Sequence, residues 1–197
     1  MGIYYTPAYI VDYIIKNTVD KLIEGKTPKQ LETLRILDPA CGSGTFLVRA
    51  YQNLLDYHLE YYKKSPEKYK KEIYIYKENL YLLTKEIKKK ILINNIFGVD
   101  IDPQAVEITK LSLLLKVLEN ETKEQVEQQL KLFQERVLPN IDKNIQCGNS
   151  VVDSSYFNQA TLNNSQEEIL KINPFDWNSE KGFSRIIKEG GFDIIIG

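Results

Sequence analysis

An apolar run at residues 34–37 passes straight into Asp38-Pro39-Ala40-Cys41-Gly42-Ser43-Gly44, after which Leu47, Tyr51, Leu54 and Leu55 recur at helical spacing. A continuous apolar run ahead of a glycine turn is the pattern of a strand covered on both faces. Such strands belong to parallel sheets, whose connections must cross over, usually through a helix. Ile96-Phe97-Gly98-Val99-Asp100 repeats the pattern ahead of a helix start at Asp102-Pro103, and Phe192-Asp193-Ile194-Ile195-Ile196 is the most apolar strand candidate of all. Residues 141–147 are a weaker one, ending at Gly148. The alternation of strands and helical segments implies an α/β fold. Strands near residues 34–38, 96–100, 143–148 and 192–197 are expected to be parallel, with the last beside the first.

Residues 6–24 read as one helix, capped by Thr6, with Pro7 in its first turn and Ile10, Tyr13, Ile14 and Leu22 at helical spacing; Gly25 and Pro28 end it. The helix after Pro103 offers Val106, Ile108, Leu111, Leu114, Leu115 and Leu118 as a broad apolar face. A Gln- and Glu-rich helix is expected at about 122–136, and loop with short turns over 153–180. Eight of the thirteen tyrosines fall between Tyr51 and Tyr81, interleaved with lysines. Such a stretch can supply stacking platforms for nucleic acid. Glu67, Glu72, Glu78 and Glu86 mix its sign, however, and the simpler reading is an amphipathic helical connection with solvated lysines.

The chain's 197 residues hold one ordinary domain, or one plus a short extension. No apolar run approaches the ~18 residues of a membrane span, and no basic-then-apolar leader opens the chain. Two cysteines make no disulfide scaffold, so the expectation is a cytoplasmic protein without membrane contact. A net charge of -1 excludes a surface built mainly to grip phosphates. The sole histidine, His58, is expected at the surface or its boundary. Cys41 and Cys147 come close if their strands are neighbours, and Trp177 is expected to anchor a loop.

The glycine turn and the following helix start place a pocket at the carboxyl end of the sheet. A nucleoside triphosphate would require a lysine closing the loop, and none is present. A dinucleotide would require a third glycine where Leu47 stands. S-adenosyl-L-methionine remains, since it carries no phosphate and its methionine part needs close backbone approach. Asp38 at one strand end can accept hydrogen bonds near the ammonium group. Asp100 at the next can accept from two ribose hydroxyls, while Asp102, directly before Pro103, caps the helix.

Tyr4-Tyr5-Thr6-Pro7, the Asp38–Gly44 turn, Gly98-Val99-Asp100-Ile101-Asp102 and Cys147-Gly148-Asn149-Ser150 together resemble the N6-adenine DNA methyltransferases, most of all the large single-chain restriction-modification enzymes. The resemblance implies a Rossmann-like class I methyltransferase sheet, truncated here, with a helical N-terminal cap (1–33) and a cofactor-binding part (34–197) carrying a helical insertion at about 57–92. It implies S-adenosylmethionine held by Tyr5, Thr6 and Pro7 over the methionine end, by Asp38, Pro39, Ala40, Cys41, Gly42 and Gly44 with Phe46 nearby, by Asp100 and Ile101 at the ribose and adenine, and by Asn149 and Ser150 at the adenine amine. The family's Asn-Pro-Pro-Tyr tetrad would follow Gly197. The 197 residues are therefore expected to be inactive alone, to meet DNA mainly through other parts of the protein, and to self-associate through the last strand. Protein glutamine methylation and a non-catalytic S-adenosylmethionine-binding module are the alternatives.

Overall fold

The structure is a computed structural model and describes residues 6–78, 80–120, 138–152 and 171–197. In chain order its elements are α1 (Ala8–Asn17), α2 (Val19–Ile23), α3 (Pro28–Leu31), β1 (Ile36–Asp38), α4 (Thr45–Lys63), β2 (Ile73–Lys77), β3 (Leu80–Leu83), α5 (Lys85–Asn95), β4 (Ile96–Asp100), α6 (Pro103–Leu118), β5 (Ile145–Cys147), α7 (Ser184–Lys188) and β6 (Ile194–Ile195). One sheet has the order β5-β4-β1-β6, and every pairing in it is parallel. The expected α/β architecture and the placement of the last strand beside the first both hold. The register pairs Asp38 with Gly98 and Asp100 with Cys147, so both acidic residues close their strands at the same end of the sheet.

The inner strands β1 and β4 are covered on both faces, which is why they are almost wholly apolar. Ile36, Ile96 and Ile145 join the main core with Leu47, Tyr51 and Leu54 of α4 and Val106, Leu113 and Val117 of α6. Leu37, Phe97 and Val99 face the other way and meet Phe175, Phe183 and Ile186. Leu47, where a dinucleotide site would have its third glycine, seats against Gly98: a Cβ there would lie 2.7 Å from Leu47 Cδ1. The glycine that permits close packing has moved from the helix to the neighbouring strand. Two buried asparagines tie the strand entrances. Asn95 donates to the carbonyls of Leu31 and Leu34, and Asn144 donates to those of Ile93 and Ile96.

Several expectations are corrected. The helix over residues 6–24 is two helices, broken at Thr18, whose hydroxyl donates to Ile14 O at 2.7 Å. Thr6 does not cap it; Pro7 holds the cap position, without a side-chain bond. Its buried stripe is Val11, Ile15, Val19 and Ile23, one residue out of phase with the expected face, and Tyr13 is exposed. On α6 the buried stripe is Val106, Thr109, Leu113 and Val117, while Ile108, Leu111 and Leu115 are exposed. The insertion is not wholly helical. After α4 comes an antiparallel hairpin, β2 with β3, in which Ile73 opposes Leu83, both buried. Alternating Ile-Tyr-Ile-Tyr favours a strand, and the surrounding lysines obscure that signal. His58 is buried, not at the surface, with Nδ1 2.7 Å from Leu54 O. Cys41 is buried and Cys147 exposed; both are free, and β4 lies between their strands. Trp177 does anchor a loop, donating from Nε1 to Ser150 O at 3.0 Å. The helix expected at 122–136 and the first part of the 153–180 loop lie outside the described residues.

Candidate functional site

From β1 the chain crosses to β4 and β5 on one side and returns as β6 on the other. That reversal falls at the carboxyl end of β1, the place where open α/β sheets take ligands. Asp38 closes β1 there, 1% exposed. Its Oδ1 accepts from Ala40 N at 3.0 Å, and its Oδ2, also buried, has no hydrogen-bond partner among the described residues. Burial pushes the carboxyl up to about 6, against the pull of the Ala40 amide and helped by the charge of Asp100. An unpartnered buried carboxylate oxygen is costly unless a donor arrives from outside.

The glycine turn is held by its neighbours. Cys41 N donates to Val99 O at 2.9 Å, extending the turn along β4, and Gly44 N closes back on Cys41 O at 2.7 Å. Gly42 and Gly44 have φ of 52° and 84°, left-handed conformations that favour glycine. A Cβ at Gly42 would meet open space, whereas one at Gly44 would lie 2.8 Å from Thr109. Asp100 Oδ2 accepts from Gly42 N at 2.7 Å, and Thr109 Oγ1 donates to Gly42 O at 2.8 Å. The Cys41 thiol is pushed up to about 12 by burial and by the charges of Asp38 and Asp100, which leaves it protonated and unreactive. Helix α4 then starts at Thr45 with Gly44 as N-cap and no side-chain cap, so its first amides are available to an anion.

The structure brings Asp38, Cys41, Gly42, Gly44 and Asp100 to one end of the sheet. Asp100 Oδ1 also accepts from Asp102 N at 2.9 Å, and Asp102 caps α6 through Gln104 N at 2.8 Å, as expected. Ile101 is 51% exposed beside them. Pro39 is half-buried and Ala40 exposed on the turn, Thr6 is half-buried and Pro7 exposed ahead of α1, and Tyr5 lies outside the described residues. Phe46 is buried in the main core beneath the first turn of α4. Asn149 and Ser150 follow β5 in a turn tied to residues 173–177. Asn149 N donates to Asn173 O, Asn149 O accepts from Phe175 N, and Asn149 Oδ1 accepts from Val151 N at 3.2 Å. Thr109 escaped the sequence reading. Its signal is a polar residue on the strict 106-109-113-117 stripe of an otherwise apolar helix face.

Three comparisons bear on this arrangement. The family model for the DNA-methyltransferase domain of MmeI matches residues 15–179. A Type II restriction enzyme and methyltransferase of Escherichia coli, RM.Eco57I, is 35% identical over 192 residues, which are 98% of this chain and 17% of that protein. The Type ISP restriction-modification enzyme LlaGI, solved as a nuclease-deletion mutant with a DNA substrate mimic, superposes on 99% of this chain and 12% of its own with a TM-score of 0.52 at 18% identity, a likeness of fold. The chain thus spans less than a fifth of the length of these proteins.

Proposed function

Since the chain belongs to the family of MmeI-type DNA-methyltransferase domains, we propose that it is the cofactor-binding part of a restriction-modification enzyme that transfers a methyl group from S-adenosylmethionine to N6 of adenine in DNA. The observation that carries the reading is the unpartnered Oδ2 of Asp38 beside an uncapped helix start, with Asp100 at the next strand end. The methionine end of the cofactor is a zwitterion. Asp38 takes its ammonium group, and the first amides of α4 take its carboxylate. The open space at Gly42 admits the chain between them. Asp100 spends one lone pair of each oxygen on Gly42 N and Asp102 N and offers the remaining ones to the ribose hydroxyls. Ile101 covers one face of the adenine, and Asn149 accepts from its amine. When bound, the cofactor supplies an electrophilic methyl on sulfur.

In this reading residues 1–33 form a cap and residues 34–197 belong to a Rossmann-like class I domain, with Thr6 and Pro7 closing over the methionine end. The protein works in the cytoplasm on DNA. The adenine-specific methyltransferase BrxX of Escherichia coli O9:H4 (strain HS), 28% identical over 143 residues, supports the choice of base. With a family and relatives that are DNA methyltransferases, glutamine methylation is not favoured. Strand β6 stands at the sheet edge with Ile195 65% exposed, and this edge is our candidate for self-association.

The test is calorimetry with S-adenosylhomocysteine. Asp100→Ala is expected to weaken binding by roughly 1.5–3 kcal/mol, the range for hydrogen bonds to charged groups. Equal affinities for the wild type and Asp100→Ala would remove the ribose assignment.

A further inference from the structure

We propose that Thr109 is a positioning residue for the glycine turn, acting with Asp100 to hold Gly42 from both sides. The proposal rests on the reading that this turn holds S-adenosylmethionine. A threonine inside a helix ordinarily returns its hydroxyl to the carbonyl one turn back. Ser112, three residues further along α6, does this, donating to Ile108 O at 2.8 Å. Thr109 instead spends its hydroxyl on Gly42 O, 67 residues away in sequence, at 2.8 Å. It is wholly buried, among Val106, Leu113 and Val117. A polar group in such a stripe is tolerated only when bonded, and its partners, Gly42 O and the Cys41 thiol, both belong to the turn.

Gly42 sits at φ 52° and has no Cβ to fix the peptides beside it. Its N–H is taken by Asp100 Oδ2 at 2.7 Å and its C=O by Thr109. Both holding groups come from one unit, the end of β4 and the helix that follows it. The same threonine closes on Gly44, where even a methyl group would lie 2.8 Å from its Oγ1 and Cγ2. The hydroxyl therefore turns the Gly42 carbonyl into the protein. Without that bond the carbonyl is free to swing into the space proposed for the ligand, where its partial negative charge would face the carboxylate end of the ligand and add to the charges of Asp38 and Asp100. Being fully buried, Thr109 acts on the ligand only through the turn. The acidic residue proposed for the ribose and the turn proposed for the methionine end are thus one mechanically coupled unit.

The experiment titrates the chain with S-adenosylhomocysteine by calorimetry and follows amide hydrogen exchange over residues 38–47. Thr109→Val keeps the shape and removes the donor; it is expected to weaken binding about tenfold, the upper range for one lost neutral hydrogen bond, and to speed exchange in the turn. Thr109→Ser keeps the donor and is expected to bind within about twofold of wild type, with exchange unchanged. Combined with Asp100→Asn, Thr109→Val should cost less than the product of the two single effects, since both act on Gly42. Wild type and Thr109→Val binding equally would overturn the proposal, as would purely multiplicative effects in the double variant. If Thr109→Val fails to fold, Thr109→Ala against Thr109→Ser decides the same question, and equal affinities overturn it. If wild type shows no binding, the cofactor reading falls and takes the proposal with it, an outcome distinct from binding that ignores Thr109.

Discussion

Asp38 is where stability and the proposed ligand binding oppose each other. Burial pushes its carboxyl up to about 6 in the folded chain, above the ordinary 3.8. Between those values the folded state holds more protons than the unfolded one. Its contribution to stability is therefore complete below about pH 3.8 and is lost as pH rises through 6, by about 3 kcal/mol from linkage. Asp38→Asn is expected to be more stable than wild type at pH 7.5 by roughly 1–3 kcal/mol, with a flatter pH dependence, while binding S-adenosylhomocysteine more weakly. Urea unfolding at pH 4, 6 and 7.5 measures this, and a variant less stable at pH 7.5 would show the buried charge to be satisfied. The two turn glycines should separate in the opposite sense. Gly44→Ala meets Thr109 at 2.8 Å as well as left-handed strain, and should lose roughly 2 kcal/mol or more. Gly42→Ala carries only the strain, about 1–2 kcal/mol, but sets a methyl group in the space proposed for the ligand. Thermal melts should rank Gly42→Ala above Gly44→Ala, with ligand affinity lost in Gly42→Ala all the same.

At the scale of elements, helices were recognisable by period but not by phase. Leucines outnumber other apolar residues on α6, yet the buried stripe runs through Thr109, whose hydroxyl donates to Gly42 O. Two packing devices on α4 and α5 lie equally outside sequence patterning. Lys88 donates from Nζ to Glu119 O at 2.7 Å and Val117 O at 3.4 Å, closing the carboxyl end of α6. Lys88→Met should cost about 1–3 kcal/mol by removing charge-assisted bonds, read as a lower melting temperature. His58, buried on α4, has its pKa lowered by burial. The unfolded chain therefore takes up a proton first, and this part of the stability is present above pH 6.5 and is lost as pH falls below it. His58→Gln should remove that acid-side slope; an unchanged slope between pH 5 and 7 would point to another group.

For the molecule as a whole, the proposed self-association would run through β6, at the edge of the sheet among the described residues, where Ile195 is exposed. Light scattering across a concentration series should show growing mass, and Ile195→Lys should suppress it; a constant monomer mass would exclude the edge. The parallel sheet and the position of its strands were legible because two-sided burial writes itself as unbroken apolar runs. So were the turn and the acidic strand ends, since glycine and aspartate at those places have few structural uses. Hidden from the sequence were the break at Thr18, the β2–β3 hairpin, the burial of His58 and the buried face of α6. Local patterns set which residues can share a face, but only the neighbouring surfaces decide which face is covered. The same holds for the candidate site: the sequence by itself determined the turn and the carboxylates, whereas the tertiary structure decided that Asp38 keeps an oxygen unpartnered and that Thr109 and Asp100 meet on Gly42, contacts between segments distant in the chain that no local pattern encodes.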